Sequence, residues 1–260
     1  FHGRIDADTT KFATTIEQIK ATAGVGKSLF VSAGDNIGAS PFASATQQDS
    51  PTIDVLNALD LKATTVGNHE FDRGFADLAG RVSDEANFDF LGANVRLKTD
   101  PTAPAVPLKA SETYTVSGVK VAVIGAVTEE TPTLVTPDGI STLSFTDPVD
   151  AVNAEVTRLK ALPATDRPDV MVVAYHEGAG FGVVEGSTLE EEVADGGVFA
   201  EIVNKTDAEV DAIFTGHTHK EYSWNGPIPG QPGKTRPIVQ TGSYGAKVGK
   251  VVLTLDGDTK

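Results

Sequence analysis

The chain has 260 residues, of which 40% are apolar, so it is long enough for one large domain with a full hydrophobic core. It contains no cysteine, which excludes disulfides, thiolate zinc sites and cysteine nucleophiles. The net charge of −15 disfavours general binding to DNA or RNA, although divalent cations in a cleft would reverse the sign locally. No apolar run approaches ~20 residues, which argues against a membrane-spanning helix. The chain opens at Phe1 without an initiating Met, as a mature or excised fragment would, and a leader could have been removed.

Buried strands are predicted wherever short Val/Ile-rich runs are continuous rather than alternating, because such runs suit strands that are covered on both faces. The predicted strands are 28–33, 62–66, 119–126, 170–174, 210–214, 237–240 and 250–255.

Amphipathic stretches between these runs predict helices over Thr9–Ala23, from an N-cap at Ser50 to Leu59, and over 149–162 after Asp147-Pro148. A shorter helix is predicted at 199–203, and the Gly-rich stretches 177–197 and 226–233 are predicted surface loops. Alternating strands and helices indicate an α/β fold.

Polar residues follow several predicted strands, where ligands gather in open α/β sheets. These residues are Gly34-Asp35-Asn36, Gly67-Asn68-His69-Glu70, Tyr175-His176-Glu177 and Gly216-His217-Thr218-His219. Together with His2 at the chain start, they include all five histidines of the chain.

Each of these residues alone also has an ordinary structural interpretation. A lone histidine binds a metal in roughly one case in five, Asp35 and Asn68 are common turn residues, and glycine often ends a strand. The joint pattern favours a metal site, and the spacing of His217 and His219 would place both side chains on one side of an extended segment. Imidazole, carboxylate and amide ligands without thiolate suit Zn, Mn, Fe or Co.

Three of these blocks, in this order, resemble the calcineurin-like metallophosphoesterase family: Gly34-Asp35-Asn36, Gly67-Asn68-His69-Glu70 and Gly216-His217-Thr218-His219. The longer strings 34–41 (GDNIGASP) and 67–72 (GNHEFD) resemble its 5′-nucleotidase branch. The richness in Ala, Val, Thr and Asp is similar to actinobacterial members.

The resemblance covers essentially the whole chain and implies a four-layer α/β/β/α sandwich of two mixed sheets flanked by helices. It implies one catalytic domain over 1–260, without the C-terminal nucleoside-binding domain of 5′-nucleotidases. The implied activity is release of phosphate from nucleoside 5′-monophosphates by attack of a metal-bound water. A secreted or cell-envelope location in a bacterium is implied as well, with a small phosphoester as the partner molecule.

The family pattern also implies a site with two divalent metal ions, Zn, Mn or similar. One ion would be bound by His2, Asp35 and His219. The second would be bound by Asp35, Asn68, His176 and His217, so that Asp35 bridges the pair. The family has an Asp two residues before its first His; it would precede Phe1, and without it we expect the first ion to be bound weakly.

In the same family, His69 is implied to stabilise the transferred phosphoryl group, and Asp72 to orient His69. Asn94 matches a position near the phosphate. Glu70, Arg73 and Glu177 lie close to these residues in sequence, and structural roles are expected for them.

Several other activities remain open at this point. A UDP-sugar hydrolase or a 2′,3′-cyclic-nucleotide phosphodiesterase would share the metal site, although Asp72 favours the nucleotidase branch. A non-catalytic module that binds metal or nucleotide is the alternative from another class, and the His69–Asp72 pair argues against it.

Overall fold

The structure is a computed structural model that describes residues 1–255. The α-helices are α1 (Thr9–Ala23), α2 (Phe42–Ala45), α3 (Ser50–Ala58), α4 (Phe75–Asp77), α5 (Ser83–Glu85), α6 (Thr131–Leu134), α7 (Pro148–Lys160), α8 (Leu189–Ala194) and α9 (Gly197–Lys205). A π-helical turn, Leu78–Val82, joins α4 to α5, and 3₁₀ helices cover His69–Phe71 and Pro137–Ile140. The strands are β1 (Val31–Ser32), β2 (Ala63–Thr65), β3 (Asp89–Leu91), β4 (Val95–Leu97), β5 (Asp100–Pro104), β6 (Ser111–Val116), β7 (Val119–Val127), β8 (Leu143–Phe145), β9 (Val170–His176), β10 (Ala212–Thr215), β11 (Glu221–Pro227) and β12 (Thr235–Thr241).

Two sheets form the centre of the molecule. The larger sheet has the order β11-β12-β10-β9-β7-β6; its four inner strands are parallel, and the two outer strands pair antiparallel to them. Its register places Val173 opposite both Ile124 and Ile213. The smaller sheet, β1-β2-β3, is parallel. A third, antiparallel sheet has the order β5-β4-β8.

Apolar clusters show how these sheets are layered. Between the two central sheets, Ala63 and Leu91 of the small sheet pack in one cluster with Val123 and Val172 of the large sheet. On the outer face of the large sheet, the core includes residues of α7 and α9. On the outer face of the small sheet, the core includes residues of α3 and of the helical segment 75–85. The predicted layer order α/β/β/α is therefore confirmed, although the small sheet is parallel rather than mixed.

The inner strands of the large sheet are the ones that the sequence predicts best. Predictions at 119–126 and 170–174 correspond to β7 and β9, and all seven residues of β9 are buried. Predictions at 62–66, 210–214 and 237–240 correspond to β2, β10 and β12.

The predicted strands at 28–33 and 250–255 agree less well with the structure. The first is reduced to the two residues of β1, which pairs with β2 on one side only, and the second is wrong because 250–255 forms no strand. A cleft of about 810 Å³ is lined by residues of both segments.

The predicted loop 177–197 is wrong in part, because it contains α8. The turn cluster 226–233 begins inside β11. The helix predicted from Ser50 is α3, but its N-cap is Asp49, and Ser50 Oγ instead donates to Glu85. Among residues 1–255, no helix is both long and apolar enough to cross a bilayer.

Candidate metal centre

The predicted ligands meet where the strands of both central sheets end. Asp35 follows β1, Asn68 follows β2, His176 is the last residue of β9, and the 217–219 segment follows β10. The backbone N–H of His2 donates to the carbonyl of Asp35 at 2.8 Å, which attaches the chain start to the same place. The fold therefore brings together residues from four separate segments and the chain start, as expected for the carboxyl ends of parallel strands.

Backbone conformation at the site is unusual. His2, Asp35, His217 and His219 all have positive φ, at 54°, 52°, 67° and 59°. This region disfavours residues with a side chain by about 1–2 kcal/mol each. The segment 217–219 is thus not extended as expected, and the two histidines face different groups of ligands. Strain of this kind persists where surrounding structure imposes it, and it marks a candidate functional site.

The first predicted group of ligands contains His2, Asp35 and His219. His2 Nε2 lies 3.1 Å from His219 Nε2 and 3.5 Å from Asp35 Oδ2. The other ring nitrogen of His2, Nδ1, lies 3.1 Å from the carbonyl oxygen of Gly38, which can only accept. Nδ1 therefore carries the proton, and the lone pair of Nε2 is available to a metal.

The second predicted group contains Asp35, Asn68, His176 and His217. His176 Nε2 lies 3.1 Å from Asp35 Oδ2 and 3.2 Å from Asn68 Oδ1, and the rings of His176 and His217 are 5.1 Å apart. His176 Nδ1 donates to the carbonyl of Ala33 at 2.7 Å, which again directs Nε2 to the ligand group.

Electrostatics differ among the histidines. Burial lowers the pKa of His2 and of His217 to about 4, so both are neutral near pH 7 and ready to bind a cation. Burial also disfavours charge on His176. The charge and the hydrogen bond of the adjacent Asp35 carboxylate act against this effect, and the pKa of His176 is raised. A metal ion would take the place of that proton, since ligation needs a neutral imidazole.

Asp35 belongs to both groups. Its carboxylate oxygens lie within 4.8 Å of ring nitrogens of His2 and His69 on one side, and of His176 and His217 on the other. Burial would raise its pKa, but the neighbouring histidines, His176 first, hold it below the usual range, so Asp35 is ionised. One ionised carboxylate between two sets of nitrogens suits a bridge between two cations.

Glu70 holds the two ligand-bearing loops together. From the sequence alone, only an unspecified structural role was expected for it. Its carboxylate accepts from the backbone N–H of Asp35 at 2.9 Å, of Asn36 at 2.8 Å and of Gly67 at 2.6 Å. The sequence of the GNHE block does not reveal this role, because the groups that Glu70 binds at Asp35 and Asn36 belong to a distant loop. Gly34 has a φ of 92°, and a Cβ there would come within 2.6 Å of His176 Nδ1, so the loop requires glycine.

His69 and Asp72 form a pair beside the ligands. His69 Nδ1 is 2.9 Å from Asp72 Oδ2, and its ring centroid is 5.0 Å from that of His2. The bond to Asp72 raises the pKa of His69, against the opposing effect of burial. The backbone N–H of His69 also donates to Asp35 Oδ1 at 2.9 Å, which ties the pair to the ligand groups. Distance alone would also allow His69 as a ligand of the first group.

Asn94 lies outside this cluster of side chains. Its amide Nδ2 donates to the carbonyls of Val127 and Thr146 at 2.7 and 2.8 Å, and its Oδ1 accepts from the N–H of Val127 at 2.9 Å. Both donor hydrogens are therefore used within the protein, and the residue is fully buried. A substrate contact for Asn94 stays a prediction, and it would require one of these bonds to break.

The donors fit a divalent metal centre. They are imidazoles, of which His2 and His176 have their tautomers fixed by backbone carbonyls, together with an ionised carboxylate and an amide oxygen, all without thiolate. The side chains whose ligand atoms all lie within 4.8 Å of one another form two groups that share Asp35, His2 with Asp35 and His69, and Asp35 with His176 and His217.

Comparison with known proteins identifies the family of the chain. Residues 2–221 match the model of the family described as calcineurin-like phosphoesterase. The chain is 34% identical over 248 residues to endonuclease YhcR of Bacillus subtilis, covering 90% of this chain and 18% of that protein. It is 30% identical to a cell wall protein of Listeria monocytogenes, covering 88% and 30%, and 28% identical to a 5′-nucleotidase of Vibrio vulnificus, covering 82% and 36%. It thus spans about a fifth to a third of these relatives' length.

Among solved structures, the NAD nucleotidase of Haemophilus influenzae superimposes with a TM-score of 0.69 at 21% identity, covering 92% of this chain and 44% of that one. This likeness confirms the fold. The family match, which extends over most of the chain, and the relative at 34% identity confirm the resemblance read from the motifs. The chain belongs to the calcineurin-like phosphoesterase family, whose members use divalent metals.

Proposed function

We propose that this chain is a metal-dependent phosphomonoester hydrolase, the catalytic domain of a 5′-nucleotidase over residues 1–260. The observation that carries the proposal is the ionised carboxylate of Asp35 between two groups of histidines, with the His69–Asp72 pair directly beside them. A module that only binds metal has no use for such a pair.

Two divalent cations would neutralise phosphoryl oxygens and make water a nucleophile near neutral pH. The chain's own groups then have separate tasks. Asp35 stays ionised and is shared between the ligand groups. Asp72 keeps His69 oriented and favours its protonated form, so that the imidazolium can donate to a phosphoryl oxygen as negative charge increases there.

The two metal sites differ in their donors. The second group offers Asp35, Asn68, His176 and His217, and the first offers His2, Asp35 and His219. We therefore expect the second ion to bind more tightly. Zn and Mn both suit these ligands, and availability decides between them.

We also propose a substrate class and a location. The net charge of −15 favours a small phosphoester over a polyanion. A cell wall protein among the relatives supports a secreted or cell-envelope location. The relative named an endonuclease favours a phosphodiester substrate as the second candidate, alongside the UDP-sugar and cyclic-nucleotide activities.

Parallel assays with added Mn²⁺ separate these candidates. We expect turnover of AMP and p-nitrophenyl phosphate to exceed that of bis-p-nitrophenyl phosphate, and His69→Asn to lower kcat by about 10²–10³-fold. The matched control is Asn87→Ala, an exposed residue outside the ligand groups. Faster turnover of the diester would favour the phosphodiesterase, and full activity of His69→Asn would exclude the role of His69.

A further inference from the structure

The histidine rings of the two predicted ligand groups are held in different ways. His2 and His176 each donate through Nδ1 to a backbone carbonyl, which fixes the ring as expected for a metal ligand. His219 has no such bond, because within residues 1–255 its only polar side-chain contact joins its Nε2 to His2 Nε2 at 3.1 Å. The direction of the His219 ring is therefore left to its packing contacts.

Tyr244 supplies that packing. Its ring centroid lies 5.4 Å from that of His219, with 70° between the ring planes, and 5.7 Å from that of His2, at 65°. The rings of His2 and His219 are 5.1 Å apart, at 73°. The three rings thus form a triangle of edge-to-face contacts, an arrangement that aromatic pairs prefer at centroid distances of roughly 4.5–7 Å.

Arg4 restrains the Tyr244 ring in turn. The guanidinium carbon Cζ of Arg4 lies over the ring, 3.9 Å from its centroid, where the quadrupole of the ring attracts a cation. Because Tyr244 is 44% exposed, burial alone would not fix its ring. The contact with Arg4 adds the restraint that burial lacks.

The backbone of the turn 242–245 contacts both halves of the first predicted group. The N–H of Gly242 donates at 2.8 Å to the carbonyl of Lys220, which follows the second histidine of this group in the chain. At the other end, Gly245 has a φ of 71°, and a Cβ there would come within 2.8 Å of the ring of Phe1, which precedes the first histidine. The turn therefore lies between the chain start and the segment that follows β10.

The second predicted group has no counterpart of this triangle. Its two histidines, His176 and His217, have ring centroids 5.1 Å apart, and within residues 1–255 no third aromatic ring packs against that pair. An effect of Tyr244 on metal binding should therefore be confined to the first group.

We propose that Tyr244 is a positioning residue of the metal centre, which holds the rings of His2 and His219 in place for the first ion and does not act on the second. The inference rests on the two-ion centre of the proposed function. Tyr244 acts on the ion through the two imidazoles, and both contacts are made by its ring, so the hydroxyl is not required.

Calorimetric titration of the metal-free chain with Mn²⁺ tests this role without any turnover. We expect two binding events in the wild type. Tyr244→Leu keeps a side chain at the φ of 60° but removes the ring, so it should weaken one event by about tenfold through the loss of two ring contacts. Tyr244→Phe keeps the ring and should retain the wild-type affinity for that ion.

The His219→Ala background identifies which ion is affected. This variant should bind one ion, in the second predicted group, and the addition of Tyr244→Leu should leave the affinity for that ion unchanged. The matched control is Phe181→Leu. Phe181 is 53% exposed and also lies under a cation, with Lys220 Nζ 5.4 Å from its ring centroid, but within residues 1–255 it makes no ring contact with a histidine. We expect this control to keep both wild-type affinities.

Three results would overturn the positioning role: unchanged affinities in Tyr244→Leu, equal weakening of both ions in that variant, or a Tyr244→Phe variant as weak as Tyr244→Leu. A wild type that binds a single ion would overturn the two-ion centre, and this inference with it. A wild type that binds two ions, one of them dependent on Tyr244, but hydrolyses no phosphoester would refute only the proposed function.

Discussion

His69 is constrained through both its backbone and its ring. The backbone N–H binds Asp35, and ring Nδ1 binds Asp72, which leaves Nε2 without a protein partner among residues 1–255. The carboxylate of Asp72 is the main cause of the raised pKa of His69. Asp72 therefore controls both the direction and the charge of the imidazole.

This control gives activity a predictable pH dependence. If protonated His69 is the active form, activity falls as pH rises through its pKa. Asp72→Asn removes the stabilising charge and lowers that pKa, so the alkaline limb of kcat/KM should move to lower pH. The limb is measured at saturating Mn²⁺, with Asp84→Asn, an exposed residue of α5, as control. An unchanged limb in Asp72→Asn would contradict the assignment.

Residue types predicted the chemistry of the site better than its detailed geometry. The blocks at 34–36, 67–70 and 216–219 are visible in the sequence because their residue types are unusual together. The role of Glu70 and the tautomer of His176 are not visible, because each depends on a backbone group far along the chain. His219 could be assigned to a ligand group only through the resemblance, since its positive φ breaks the expected extended geometry.

Elements covered on both faces were predictable, and edge elements were not. β7 and β9 are continuous apolar runs, whereas β6 and β11 mix polar and apolar residues because one side meets solvent. Helix α8 was missed although Thr188 and Glu191 form a capping box, which the sequence pattern T-x-x-E could have indicated.

The start of helix α7 was predicted correctly from the pair Asp147-Pro148. Asp147 precedes Pro148, and its Oδ1 accepts from the N–H of Val149 and of Asp150, each at 2.8 Å. We expect Asp147→Ala to lower the free energy of unfolding by about 1 kcal/mol, the usual value of a lost N-cap. Urea unfolding measures the change. Asp150→Ala, in the exposed first turn, should cost less, and equal losses would argue against the cap.

At the scale of the molecule, an acidic protein concentrates its histidines in one place. Four of the five are the predicted metal ligands, and the fifth, His69, is bonded to Asp72. The two central sheets supply the ligand-bearing loops from their carboxyl ends, so the centre depends on how the layers pack. A change at Asp35 should therefore affect both ions, and a change at His219 only one.

Metal content is the most direct test of this account. After equilibrium dialysis against Mn²⁺, elemental analysis should find about two ions per wild-type chain. His219→Ala should retain about one, in the second group. Asp35→Asn keeps an oxygen for the N–H of His69 but cannot bridge, so it should hold at most about one weakly bound ion. Exposed Asp166→Asn serves as control. Two tightly bound ions in Asp35→Asn would contradict a shared carboxylate at the centre of the site.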